Sequence, residues 1–314
     1  MKTLFVFVLA LCWPFVGLSQ TDQWSEEDWE PLVDEPSRQD LLPLTIPPEF
    51  EMEAIPLTFW FPQDTHDRSN GSRLFGIDLN HYSPASTPIA SLSAKNIRYV
   101  YVKATQGVSL KDAKFGYFWE ALGRLPDRQK VARGAYHFLS SDAGADPVLQ
   151  AERFVAYVNL HGGFTSEDLP PVVDLEWDIT HRSDRDRWSY RTPRQIVNAT
   201  LAFLSRVEVL TGTIPMLYTA RAWWRERLIP EKDIAKFARY PLWIADYGNK
   251  TRLREKPLGP HGVTPTLWQF SDKARISGAR SGVFDANVFS GTEEDFMKTF
   301  FQKVPGPVSG HTSP

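Results

Sequence analysis

The chain has 314 residues and a single cysteine, Cys12. No intramolecular disulfide can form, so the fold must rest on its core. No HExxH motif is present, and the seven histidines are scattered without metal-ligand spacing, which removes the usual zinc signatures. A Gly-rich phosphate loop and a G-x-S-x-G elbow are also missing, so nothing points to a nucleotide cradle or a serine nucleophile. The longest apolar run, residues 4–18, is interrupted by Trp13-Pro14. It falls short of the ~20 residues that a membrane span requires. A net charge of −3 gives no sign of a nucleic-acid partner.

That apolar run follows Lys2 and ends among the small residues Gly17 and Ser19. This is the pattern of a secretory signal over residues 1–20 and implies export, secreted or periplasmic. Leu11 stands before Cys12 where a lipid-anchored cysteine needs a small residue, so no anchor is expected there. Residues 21–72 form an acidic, Pro-rich leader or linker without regular periodicity. Residues 21–67 hold 13 acids against one base, Arg38, whereas from Arg68 onward there are 25 acids and 33 bases. The body is therefore basic although the whole chain is not, a mild preference for anionic partners. The turn Asn70-Gly71-Ser72 marks the boundary of one domain over residues 73–303. Residues 304–314, rich in Pro, Gly and Ser, read as a tail.

From Arg73 a regular alternation begins. Strand-like stretches at 74–79, 97–104, 131–138, 171–176 and 214–219 alternate with helical spacing at 86–96, 112–125, 146–160, 193–211 and 220–228. Three further strands, 241–247, 266–271 and 283–289, have no convincing helix between them, and a last helix covers 293–302. Alternating strands and helices imply a parallel sheet, and eight strands imply closure. The expected fold is α/β, an irregular TIM-like barrel of five β/α units followed by three strands. Chemistry in such barrels collects at the C-terminal strand ends. Those positions carry Asp78, Lys103 with Gln106, Tyr136 with His137, Asp174 with Glu176, Tyr218, Asp246, Gln269 and Asp285, with Trp243 and Trp268 nearby.

Residues 170–177 read PPVVDLEW, a short buried strand ending in two acids. Residues i and i+2 of a strand share a face, so Asp174 and Glu176 point the same way from backbone positions roughly 6.6 Å apart. Carboxylates among Tyr, Trp and amide groups suit a carbohydrate, which stacks on aromatic faces and hydrogen-bonds through hydroxyls. Cleaving a glycosidic bond needs an acid at the leaving oxygen and an anionic group near the oxocarbenium-like centre. The spacing leaves open a retaining, an inverting or a substrate-assisted route. The acids Asp174, Glu176, Asp78 and Asp285 also admit a hard cation, although no ligand-spaced loop accompanies them. His137 reads as a core histidine behind the strand ends.

These residues fall into a known pattern. GIDLN with Asp78, YVKATQG with Lys103, GAYHF with Tyr136 and VVDLEW with Asp174 and Glu176 come first. MLYT with Tyr218, LWIADY with Trp243 and Asp246, LWQFS with Gln269 and FDANVF with Asp285 follow in order. Over residues 75–291 the chain resembles the glycoside hydrolase family 25 lysozymes, the Chalaropsis-type muramidases. The resemblance implies hydrolysis of the β-1,4 bond between N-acetylmuramic acid and N-acetylglucosamine in peptidoglycan by a monomer without cofactor. It implies Glu176 as general acid, Asp174 as the group that positions or stabilises the reacting sugar, and Asp78 and Asp285 as the rest of an acidic ring. Tyr136, Tyr218, Trp243, Asp246, Trp268 and Gln269 would line the sugar groove. One departure stands out: the family commonly has Glu where this chain has Gln106. Two alternatives remain: an inactive carbohydrate-binding protein on the same barrel, and a chitinase-like glycosidase. The second expects Asp where this chain has Leu169 and Val172.

Overall fold

The computed structural model describes residues 30–31, 73–95, 97–142, 144–179, 185–248, 256–274, 276 and 284–301. The expected signal over residues 1–20, nearly all of the acidic leader and the tail lie outside them. Eight strands form the barrel: β1 (Arg73–Leu79), β2 (Ile97–Gln106), β3 (Ala132–Phe138), β4 (Val172–Leu175), β5 (Met216–Ala220), β6 (Leu242–Ala245), β7 (Leu267–Ala274) and β8 (Phe284–Ser290). Each pairs with the next, and β8 returns to β1. Two-residue strands Glu30–Pro31 and Leu110–Lys111 extend the sheet beside the end of β2.

The crossovers account for the parallel pairs from β1 to β7. Helices α1 (Phe115–Gly123), α2 (Pro147–Leu160), α3 (Pro193–Thr211) and α4 (Arg221–Glu226) follow β2, β3, β4 and β5. Their ends are written locally. Asp146 caps α2 through Val148 N with Pro147 at the first turn. Thr192 and Gln195 form a reciprocal capping box on α3, which Gly212 ends in the left-handed conformation at φ 68°, where a side chain would be strained. The helix expected over 86–96 is instead two 3-10 turns, Ile89–Ser91 and Ser93–Lys95. The reason is local competition. The Thr87 and Ser91 hydroxyls bond back to the carbonyls of Pro84 and Pro88, which favours tight turns over a continuing helix.

The last strand departs from an all-parallel reading. β8 runs antiparallel to both β7 and β1. Residues 275–283 are all that separate β7 from β8, and a parallel return needs a crossover of about a dozen residues or more. Asp285 therefore sits at the start of its strand rather than the end. It reaches the mouth because the strand enters from that side, with its backbone opposite Asp78. At the other end of the barrel the following helix α5 (Glu293–Phe301) packs Phe296 against Tyr99 and Phe289.

Two glycines admit the large rings of β2. A Cβ on Gly76 would lie 2.2 Å from the Tyr99 ring, and one on Gly134 would lie 2.2 Å from the Tyr101 ring. Tyr101 in turn packs on Trp243 with centroids 5.0 Å apart. His137, at the end of β3, is fully buried and stacked on Phe203 of α3. Its Nε2 faces Gln150 Oε1 at 3.1 Å and its Nδ1 faces the Thr105 hydroxyl at 2.7 Å. The Gln150 amide nitrogen is turned toward the Ser140 and Ala145 carbonyls. Nε2 therefore carries the proton, and Nδ1 accepts from Thr105. Burial pulls the imidazole pKa down to about 3.

Two outcomes follow from this packing. Gly134→Ala should displace Tyr101 and cost about 1–3 kcal/mol in urea unfolding, as overpacking does; an unchanged midpoint would contradict the close approach. For His137 the unfolded chain binds the extra proton between pH 6.5 and about 3, so the fold loses stability as pH falls through that window. The contribution should be on the order of 2 kcal/mol at pH 4.5. His137→Gln should flatten the slope of stability against pH relative to wild type, and an equal slope would refute this origin.

Candidate active site

The register of β8 builds the floor of the mouth. Asn287 lies opposite Gly76 of β1 and Gln269 of β7. Its amide nitrogen donates to Asp78 Oδ2 at 2.8 Å, and the Gln269 amide nitrogen donates to the same oxygen at 2.9 Å. Gln269 Oε1 accepts the hydroxyls of Tyr218, at 2.8 Å, and Tyr247. Asn287 Oδ1 accepts the Trp243 indole N–H at 2.9 Å. Both amides are fully buried, and each can satisfy its oxygen and its nitrogen only in the orientation seen. A closed polar network thus fixes a carboxylate, two tyrosines and a tryptophan relative to one another.

Above this floor opens a cleft lined by Asp78, Tyr136, Val172, Asp174, Tyr218, Trp243 and Gln269. Asp174 reaches it because the parallel register sets it beside Tyr218 on one side and Phe138 on the other. The Trp243 ring lies edge-on to Tyr218, with centroids 4.9 Å apart. Carboxylate and amide groups line the cleft together with aromatic residues, the combination a sugar site uses. On the β2 side, Lys103 Nζ donates to Gln106 Oε1 at 2.5 Å and lies 5.0 Å from the centre of the Phe138 ring. Gln106, which departs from the family pattern, thus presents its amide oxygen to this ammonium.

Glu176 is buried and follows β4 by one residue. The backbone beyond it is held by two buried acids. Asp178 accepts from the Ser140 hydroxyl at 2.8 Å, Ser141 N at 2.9 Å and Arg187 Nη1 at 3.2 Å. Asp186 accepts from Asp178 N, Trp188 N and Trp223 Nε1, each at 3.0 Å, and pairs with Arg227 at 3.3 Å. Burial raises both carboxyl pKa values, and the hydrogen bonds from Ser141 and Ser140 to Asp178, and from Trp188 and Asp178 to Asp186, act against that rise. The ends of β3 and β4 and the start of α4 are so cross-linked around the acid.

Of the residues singled out in the sequence, the cleft gathers Asp78, Asp174, Tyr136, Tyr218, Trp243 and Gln269. Asp285 faces Asp78 across the strand pair. Glu176, Asp285, Asp246 and Trp268 are not among the residues that line this cleft. The Asp246 carboxylate accepts from Gly248 N and Leu258 N, so it ties down the loop after β6. Trp268 precedes Gln269 on β7 and so takes the opposite face; it is buried, and its indole N–H donates to the Asp246 carbonyl at 2.8 Å. Asn287 and Tyr247 are additions. Asn287 shares a strand face with Asp285 by period two, a signal present in FDANVF. Tyr247 ends the LWIADY motif but extends beyond the strand, where periodicity is silent. Among the described residues, no group of three or more His, Cys, Asp or Glu is arranged to hold a metal ion.

Comparison with known proteins agrees with this fold. The family model for glycosyl hydrolases family 25 matches residues 77–279. An N,O-diacetylmuramidase of Chalaropsis sp is 32% identical over 211 residues, covering 66% of this chain and 92% of that protein. Lysozyme M1 of Streptomyces globisporus is 29% identical over 221 residues, 69% and 68% of the two chains. The crystal structure of a Streptomyces coelicolor lysozyme superposes with a TM-score of 0.61 at 27% identity, over 73% of this chain and 98% of that one.

Asn287→Leu tests the floor. It removes one donor from Asp78 and leaves the buried Trp243 N–H without its acceptor, at a cost of about 1–3 kcal/mol. The expected result is a lower unfolding midpoint together with a changed environment of Trp243 in near-ultraviolet circular dichroism. Wild-type values for both would show that the amide is dispensable.

Proposed function

The chain belongs to glycosyl hydrolases family 25, and on that premise we propose that it is an exported muramidase. Its substrate is peptidoglycan, cut at the β-1,4 bond between N-acetylmuramic acid and N-acetylglucosamine. The observation that carries this reading is the cleft itself. Asp78 and Asp174 line it together with Tyr136, Tyr218 and Trp243, carboxylates among rings of the kind that stack on sugars. The lysozyme and diacetylmuramidase names of its relatives support the same substrate class. Export rests on the signal pattern of residues 1–20.

In this mechanism Glu176 is the general acid. As the C1–O bond breaks, its proton passes to the glycosidic oxygen and the leaving sugar departs as an alcohol. Positive charge grows at C1 and the ring oxygen. Asp174 stabilises that charge, either directly or by orienting the substrate's acetamido group as internal nucleophile. Water then adds at C1 and returns a proton to Glu176, which restores the enzyme. Asp78, clamped by Gln269 and Asn287, and Asp285 beside it complete the acidic ring. Tyr136, Tyr218 and Trp243 present the faces and hydroxyls that hold the glycan in register for proton transfer.

Mass spectrometry of soluble products from purified peptidoglycan tests the proposal. Wild type should release fragments with reducing-end N-acetylmuramic acid, and Glu176→Gln should lower the rate about 10²–10⁴-fold. If wild type binds the wall and releases nothing, the protein is a binding module on this barrel.

A further inference from the structure

An irregularity in β2 aims one side chain that the mechanism leaves unused. By period two, Tyr99, Tyr101 and Lys103 share the inner face of β2, and Tyr101 packs on Trp243, which lines the cleft. Strict alternation would turn Gln106 away from that face. The register prevents it. Lys103 lies opposite Tyr136, Thr105 opposite His137 and Gln106 opposite Phe138, so between the first two pairs β2 advances two residues while β3 advances one. This bulge leaves Thr105 on the outer face, where it meets His137. It brings Gln106 round to the face of Lys103 and Tyr136. Phe138 is in turn opposite Asp174, so Gln106 stands level with that acid on the β2 side of the mouth.

Charge fixes the orientation of the Gln106 amide. Lys103 Nζ can only donate, so the amide atom 2.5 Å from it is the oxygen. The nitrogen, with two N–H donors, is turned the other way and has no hydrogen-bond partner among the described residues. The side chain is only 8% exposed, and a donor so enclosed is costly to leave unpaired. We propose that Gln106 is a specificity-determining residue whose Nε2 donates to the acetamido carbonyl of an N-acetylglucosamine unit beside the reacting muramic acid. This rests on the muramidase reading and deepens it. The reacting sugar's own acetamido group belongs with Asp174 in the mechanism above. Gln106 lies two strands away, roughly 9.6 Å at 4.8 Å per strand, so the neighbouring sugar supplies the carbonyl. A carbonyl oxygen accepts and brings no hydrogen of its own. The amine of a de-N-acetylated glucosamine is protonated, offers only donors, and would meet the Nε2 hydrogens with the Lys103 ammonium behind them.

The test is calorimetric binding of two wall tetrasaccharides to the full chain. The two are identical except that the glucosamine units of one lack N-acetyl groups; every muramic acid is N-acetylated. Glu176→Gln protein is used, so that neither is cleaved. With Gln106 in place the N-acetylated form should bind about tenfold more tightly. Gln106→Glu keeps a partner for Lys103 but replaces the donor by an acceptor, and in the same background it should bring the ratio to about one or invert it. Gln106→Met, which has no donor, should lower the ratio at least about threefold. With Glu176 restored, the preference should appear in KM rather than kcat. No preference with Gln106 in place, or a ratio that neither variant changes, overturns the proposal. The expected binding ratios without any cleavage by wild type leave the Gln106 contact standing and overturn the muramidase reading.

Discussion

A buried carboxylate needs donors, and the barrel must close in one way to supply them to Asp78. Gln269 comes from β7 and Asn287 from β8, strands that run in opposite directions. A parallel β8 would carry Asp285 and Asn287 toward the other end of the barrel and leave Asp78 without one of its amides. The antiparallel return therefore closes the sheet, satisfies the floor of the mouth and brings a second carboxylate to its rim. Trp243, Tyr218 and Tyr247 depend on the same two amides for their hydrogen bonds. Loss of Asn287 leaves the buried Trp243 N–H without this acceptor, and an unmade bond there costs more than a made one contributes.

Much of this was legible in the sequence because strands of a closed barrel alternate faces. The run IRYVYVKATQ shows its pattern openly, and the strands carrying Asp78, Asp174, Tyr218, Trp243 and Gln269 were found by the same rule. Strand direction was less legible, since a period of two reads the same from either end. The short link over 275–283 is the signal that decides it. Asn287 carries no chemical label as an asparagine on a strand, and its role appears when register sets it beside Gly76 and Gln269. Asp246 and Trp268 looked like groove residues from their nearness to a strand end. The structure instead gives Asp246 two loop amides to hold and turns Trp268 to the opposite face. The 86–96 stretch has helical spacing, but its hydroxyls compete for the backbone.

Charge is divided by depth. The acids of the interior are committed: Asp78 to amides, Asp178 to Ser140, Ser141 and Arg187, and Asp186 to Trp223 and Arg227. At the surface, bases pair with acids, Lys130 with Glu167, Arg206 with Glu152 and Arg239 with Glu208. Asp178 and Asp186 also hold the backbone just beyond Glu176 to the residues after β3 and to the start of α4.

The most direct test of the central claim is a crystal structure of Glu176→Gln with a soluble wall tetrasaccharide. The account predicts that the glycan lies across the mouth against Tyr136, Tyr218 and Trp243, with its scissile oxygen within about 3.2 Å of the residue 176 side chain. Asp174 should lie beside the anomeric carbon or the acetamido group of the sugar that carries it. A glycan bound elsewhere, or one whose scissile oxygen lies beyond reach of residue 176, would contradict the account.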